Sequence, residues 1–335
     1  MISRCIACGS GQLAQLEKIS IQELAAAWAA QKSHGDASQE TICGYIESDL
    51  QSTEVEFWKC SECGLESALP MRSWTSTHYP EEVQDLGFDQ QQALRRLARL
   101  PRKRVLEIGC SDGRFLAKAE SLGHQATGID FSPFAVKRAR ANGLDVRDCN
   151  LKEIMSGLAR SEKFDAIALF QVIEHLEEPK EIFSQLHSFA APDASLFVGC
   201  PSHLRFARRF RHPQRVGLSD FWDYPPQHTL RWNPESLRRF LENHGWTVEA
   251  TEFEPFKLVG AAAYMTALYG LDSGWYRKIS KRRIETLKWM GRLLWQKALH
   301  QVTGIRLFVE ARLANSPEFS KGQSTTSTIT KELPH

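Results

Sequence analysis

The chain has 335 residues, more than one average domain, with 42% hydrophobic and 24% charged residues, the balance of a folded globular protein. A formal net charge of +2 supplies no overall pull toward nucleic acid. Met1–Cys8 shows no apolar signal region, and the longest nearly apolar run, Leu258–Leu271, has 14 residues against the roughly 20 of a bilayer span. A cytoplasmic protein with reduced cysteines is expected.

In chain order, the first feature is a pair of Cys-x-x-Cys-Gly knuckles, Cys5–Cys8–Gly9 and Cys60–Cys63–Gly64. Each knuckle places two thiolates on one side of a tight turn, and two knuckles complete a tetrahedral S₄ zinc site. The 51 residues between them exceed the usual zinc-ribbon interval. Ile21–Gln31 reads as a helix and Val55–Trp58 as a strand, so the interval reads as an insertion. Unmetallated or redox-active thiols are the alternative. Four thiolate ligands leave no open coordination position, which argues against a catalytic zinc. Cys43, Cys110, Cys149 and Cys200 read as small buried hydrophobes.

Gln84–Leu100 reads as a helix that Pro101 separates from a strand beginning at Val105. A helix at Phe115–Leu122 ends at Gly123. Ser132 is the expected N-cap of the next helix, with Pro133 in its first turn and Gly143 closing it after Asn142. Phe164–Phe170 is a continuous apolar strand of the kind buried in a parallel sheet, followed by a helix at Pro179–Phe189. Asn233–Pro234–Glu235 opens a helix that stops at Gly245. Trp246–Phe253 and Gly304–Arg312 alternate like strands and are expected to pair antiparallel at one sheet edge. Between them, roughly 256–303, lies an insertion that is hydrophobic and then basic. Residues 315–335, rich in Ser, Thr and Lys, are expected to form a disordered tail.

The most telling stretch is Val105–Leu116, where a short apolar strand carrying an acid runs through a glycine-bearing turn into a helix. Asp130 then ends the next apolar run. Gly109 and Gly113 permit a tight turn and a close approach to a ligand, and the Asp130 carboxylate suits a ribose diol. Ser111 and Arg114 occupy the second and third glycine positions of the dinucleotide pattern, and Glu107 and Asp112 disfavour an anionic pyrophosphate. A ligand with a positive centre and a ribose fits better, and S-adenosyl-L-methionine (SAM) has both.

Several motifs in order extend the match: Val105–Gly113, Gly128–Ser132, Phe164–Ile167 through Glu174–His175–Leu176, and Leu196–Pro201. Over about residues 103–255 the chain resembles class I SAM-dependent methyltransferases. The resemblance implies an α/β fold with a Rossmann-like seven-stranded methyltransferase sheet. To this are added a small N-terminal zinc-ribbon-like module and a C-terminal helical insertion. The implied organisation is 1–80 for the zinc-ribbon-like module, 81–314 for the SAM-binding domain and 315–335 for the tail. Cofactor contacts are implied for Glu107, Gly109, Cys110, Gly113, Asp130, Phe131, Asn150 and Gln171, with Asn150 standing where an adenine-contacting acid often lies. The metal ligands are expected to be Cys5, Cys8, Cys60 and Cys63. The N-terminal knuckles and His78–Tyr79–Pro80 are similar to those of bacterial methyltransferases of polysaccharide and sugar modification.

The expected catalytic residues are His175 and His228. Gln171, Glu174 and His175 resemble the Glu-x-x-Glu-His metal cluster of ubiquinone-pathway and small-RNA methyltransferases. There magnesium would orient and acidify a hydroxyl, but Gln171 removes one carboxylate from a divalent metal site at Glu174 and His175. In the alternative, Glu174 and His175 start a helix and contact backbone or SAM. His228 lies in Asp220–Trp232, where Phe221, Trp222, Tyr224 and Trp232 offer faces to a sugar or ring; it reads as a base or as a loop histidine. His203 is a weaker candidate. The basic stretch near 277–300 reads as a packed helix or as a peripheral contact with the inner membrane face. The leading expectation is methyl transfer, by preference to oxygen, onto a sugar, glycan or related small molecule. The alternatives are a metal-assisted small-RNA or quinone-type O-methyltransferase and a non-catalytic SAM-fold scaffold. Nucleic acid is disfavoured, although Arg205–Arg215 is basic.

Overall fold

The computed structural model describes residues 3–30, 38–73, 85–149, 158, 161–205, 223–256 and 303–314. Asn150, His78–Tyr79–Pro80, Phe221, Trp222, most of the basic run after Arg205, the 257–302 insertion and the 315–335 tail lie outside them.

After the first knuckle come β1 (Leu13–Ser20), α1 (Ile21–Ala30), α2 (Gln39–Leu50), β2 (Glu54–Cys60) and β3 (Glu66–Leu69). The expected helix and strand between the knuckles are therefore present, with a strand and a second helix added. Ser38 caps α2 by accepting from the Thr41 amide, and Ile42, Ile46 and Leu50 line one face at four-residue spacing. They pack with Trp28, Val55 and Phe57 in a core belonging to the N-terminal sheet.

The main sheet then begins. Its elements are α3 (Phe88–Leu97), β4 (Arg104–Ile108), α4 (Arg114–Ser121), β5 (Gln125–Asp130), α5 (Pro133–Ala141), β6 (Asp145–Asp148), β7 (Phe164–Phe170), α6 (Pro179–Phe189) and β8 (Ala190–Pro201). They are followed by β9 (Leu230–Arg231), α7 (Pro234–Asn243), β10 (Trp246–Phe253) and β11 (Arg306–Leu313). The seven-stranded order is β10-β11-β8-β7-β4-β5-β6, with β4 to β8 parallel and β11 and β10 antiparallel at one edge, as expected. Ser132 caps α5 with Pro133 in its first turn, as its sequence suggested. The helix expected over Gln84–Leu100 is shorter, because Gly87 serves as N-cap and its amide donates to Gln90 Oε1.

Helices cover both faces of this sheet. Phe183 and Leu186 of α6 join Leu237 and Phe240 of α7 on one face. Leu97 of α3, Phe115 of α4 and Val136 of α5 lie on the other. Cys5, Cys60, Cys63 and Leu65 share the first of these cores, so the knuckles are packed into the main body. The smaller sheet, β1-β2-β3-β9, is completed by a strand from the far half of the chain. Among the described residues no helix is long and apolar enough to cross a membrane.

Candidate active site

The cofactor side forms at the C-terminal ends of β4 and β5. Gly109 (φ +73°) and Gly113 (φ +80°) adopt the left-handed backbone that the turn requires. The room left by their missing Cβ atoms is taken by protein: a Cβ at Gly109 would lie 2.5 Å from Val172, and one at Gly113 2.4 Å from Leu144. Ser111 is also left-handed (φ +48°), and its amide donates to Asp130 Oδ2 at 2.8 Å. The Ser132 amide donates to Asp130 Oδ1 at 2.8 Å. Both carboxylate oxygens are thus aimed by backbone while keeping lone pairs for further donors. Cys110 turns its thiol toward Gly128, and half-buried Phe131 follows Asp130.

Glu107 is fully buried, and its Oε2 has no hydrogen-bond partner. Burial pushes its carboxyl well above the usual range, and the nearby Asp130, Asp89 and Asp112 push it further. Asp89, at the start of α3, is itself buried and accepts from Gln171 Nε2 at 2.8 Å. A buried acidic group of this kind, with an orphaned oxygen, fits a cationic nucleoside such as SAM and opposes a pyrophosphate.

The acceptor side lies after β7. Glu174 is fully buried with both carboxylate oxygens unpartnered, and burial raises its pKa to about 8. His175 Nδ1 donates to the Gln227 carbonyl at 2.5 Å, which leaves Nε2, 3.9 Å from Glu174 Oε1, with the lone pair. His228 packs edge-on against His175 with ring centroids 4.8 Å apart. One ligand atom from each of Glu174, His175 and His228 lies within 4.8 Å of the others. The Thr229 and Leu230 amides both donate to the Glu174 carbonyl, tying the two loops together.

A family model described as a methyltransferase domain matches residues 80–251, just over half of the chain. The chain belongs to this methyltransferase family. The ubiquinone biosynthesis O-methyltransferase of Hahella chejuensis is 27% identical over 151 residues, covering 43% of this chain and 63% of that protein. The protein of the same name from Xanthomonas campestris is 29% identical over 154 residues, covering 44% and 63%. A probable SAM-dependent methyltransferase of Mycolicibacterium smegmatis is 31% identical over 151 residues, covering 44% and 53%. The chain thus spans less than two thirds of the length of these relatives. A solved SAM-dependent methyltransferase from Archaeoglobus fulgidus aligns at a TM-score of 0.44 and 18% identity, over 67% of this chain and 94% of that one.

The seven-stranded sheet is that of the class I methyltransferase fold, and several of the residues that the sequence marked stand apart from the two loops. His203 packs against Phe253, with centroids 5.9 Å apart, away from the histidine pair. Tyr224 and Trp232 are core residues: Tyr224 donates to Glu17 and Trp232 Nε1 to the Ile173 carbonyl. Neither offers a free face to an acceptor. Gln171 faces Asp89 and stands outside the Glu174–His175–His228 cluster. Asp89, Asp223 and Arg231 were not singled out by sequence, and Arg205 only as the head of a basic stretch, since each reads as an ordinary charged residue until the fold buries it.

The four knuckle cysteines of the methyltransferase converge. Cys5 and Cys63 Sγ are 3.5 Å apart, Cys8 and Cys60 Sγ are 3.6 Å apart, and all four lie within 4.8 Å. A tetrahedral ion with bonds of about 2.3 Å has S···S edges of about 3.8 Å, which this cluster fits.

Proposed function

We propose that this methyltransferase carries the SAM methyl group to a hydroxyl of a small molecule, with a sugar or glycan as the leading acceptor class. The observation that carries the reading is the convergence of Glu174, His175 and His228 on the loop beside the cofactor turn. That loop adjoins the turn directly, since Val172 fills the space at Gly109. Glu107 and Asp130 would hold the cofactor by its charge and ribose. SAM brings an electrophilic methyl group, so the chain must align an oxygen in line, exclude water and accept one proton. SAM would supply the methyl carbon and keep the C–S bonding electrons as S-adenosylhomocysteine, while His228 would take the proton of the attacking hydroxyl. Burial lowers the His175 pKa to about 3, which makes it a poor base.

A second reading, metal-assisted transfer to a quinone-type hydroxyl, is favoured by the unpartnered Glu174 carboxylate and by the names of the relatives. Glu174, His175 and His228 would hold the cation, which would acidify the acceptor hydroxyl. With two imidazoles and one carboxylate the donor set suits zinc, manganese or iron better than magnesium, which prefers oxygen ligands. A small-RNA acceptor draws less support, since Arg205 at the head of the basic run is buried against Asp223. The Cys5–Cys8–Cys60–Cys63 cluster supports a structural zinc.

The test is transfer of labelled methyl from SAM to a panel of sugar nucleotides, free sugars, catechol and a short RNA, before and after chelation. Label on a sugar, indifferent to chelator, supports the leading reading. Label on catechol that chelation abolishes moves the assignment to the second. No transfer to any hydroxyl counts against both.

A further inference from the structure

His228 sits in a buried ionic arrangement. Asp223 is 2% exposed, Arg205 6% and Arg231 5%. Arg205 Nη2 meets Asp223 Oδ2 at 2.7 Å, and Arg231 Nε lies 3.0 Å from the same oxygen while donating its hydrogen to the Asp223 main-chain carbonyl. Oδ1 faces His228 Nδ1 at 3.3 Å. The two oxygens therefore do different work: Oδ2 is held by Arg205 with the Arg231 charge beside it, and Oδ1 is presented to the imidazole.

Arg231 is fixed in turn by the N-terminal sheet. Its Nη1 meets Glu17 of β1 at 2.5 Å and Glu66 of β3 at 3.4 Å, and its guanidinium lies 3.4 Å over the Phe57 ring of β2. Backbone pairing of β3 with β9 sets Glu66 opposite Arg231, and the Ala68 amide donates to the Thr229 carbonyl. The N-terminal sheet thus holds the segment that carries His228.

We infer that Asp223 is a positioning residue for methyl transfer: it receives the Nδ1 hydrogen of His228 and so fixes Nε2 as the nitrogen that can accept a proton. The inference rests on the role of His228 in the reading above. A carboxylate accepts only, so the hydrogen between the two residues belongs to Nδ1, and the lone pair is left on Nε2.

The isosteric variant Asp223→Asn tests this, because its amide has one allowed orientation. Arginine only donates, so the Asn oxygen must stay at the Oδ2 position facing Arg205 and Arg231. The NH₂ then faces His228 Nδ1, which must become an acceptor, and the hydrogen moves to Nε2. In ¹⁵N-histidine NMR the wild type is expected to show His228 as the Nδ1–H tautomer and Asp223→Asn as Nε2–H. Turnover with the acceptor found in the panel should fall about a hundredfold or more, the range for a lost general base, while calorimetric SAM affinity stays unchanged. Asp223→Glu, which keeps a carboxylate, should keep the Nδ1–H tautomer and recover part of the turnover.

A wild-type Nε2–H tautomer overturns the inference whether or not any variant folds. Inversion of the tautomer with undiminished turnover overturns it as well. The tautomer is read without an acceptor, so failure of the wild type to methylate any hydroxyl sinks the functional reading and leaves this measurement standing.

Discussion

The Asn233 side-chain amide donates to the Cys63 carbonyl at 3.0 Å, so α7 begins on the second cysteine knuckle. At the other end of the helix, the Asn243 amide donates to the Ala7 carbonyl of the first knuckle at 2.9 Å. The two knuckles thus grip α7 at both ends, and β9 enters that helix directly. Asn233→Ala also removes the acceptor for the Ser236 amide, and should cost about 1–2 kcal/mol. Asn243→Ala removes a single bond and should cost about 1 kcal/mol. Denaturant titration of the two variants checks the difference.

Elemental analysis of the purified chain should find one zinc per molecule, and Cys60→Ser should abolish it. Chelation should lower thermal stability and leave SAM affinity intact, because the knuckles hold α7 at both ends. Zinc-free protein of full activity and stability would defeat the structural assignment.

Gly113→Ala combines a left-handed backbone with a Cβ that would lie 2.4 Å from Leu144 Cδ1 and 3.3 Å from Ala139. The strain and overlap should cost about 1–3 kcal/mol, and the displaced turn should weaken SAM binding. Gly143→Ala is the control: it shares the positive φ but has nothing within 4 Å, so it should lose only the backbone part and leave SAM affinity intact.

Asp130→Asn replaces an oxygen that receives a backbone amide, from Ser111 or from Ser132, by a donor. SAM affinity should drop about tenfold or more, the value of a hydrogen bond to a charged group. Calorimetry showing wild-type affinity would remove Asp130 from the ribose assignment.

In metal-free protein, Glu174 and His175 should make stability peak in mildly acidic solution. Burial raises Glu174 from 4.5 to about 8, so the folded state keeps a proton that the unfolded state loses; stability falls as pH rises from about 4.5 to 8. Burial lowers His175 from 6.5 to about 3, so the unfolded state takes up a proton first, and stability falls as pH drops from about 6.5 to 3. The limiting slope of each is about 1.4 kcal/mol per pH unit. Glu174→Gln should flatten the alkaline limb alone, which urea titrations at several pH values will reveal.

Elements with a strong local signal were legible. β7 and α6 have the bounds that the sequence suggested, and so does β10, because a continuous apolar run, a proline-led helix and an alternating strand each carry their own pattern. The chain Leu13–Ser20 gave no such signal, since Ile19 is its one fully buried side chain; it is a strand because β2 pairs with it. The two-residue β9 is shorter than any period and exists only through β3. Aromatic composition misled at Tyr224 and Trp232, whose rings serve the core.

By itself the sequence determined the glycine turn, the acids at the strand ends, the parallel α/β order and the two thiol knuckles. These depend on neighbours within a few residues and on hydrophobic periodicity. Only the tertiary structure decided that His228 meets His175 and Glu174, that Gln171 turns to Asp89, and that Asp223 lies between Arg205 and Arg231. Those pairings join residues far apart in sequence, and their strength comes from burial that no local pattern encodes. A charged side chain reads alike in water or in a core, and the fold alone removes the water.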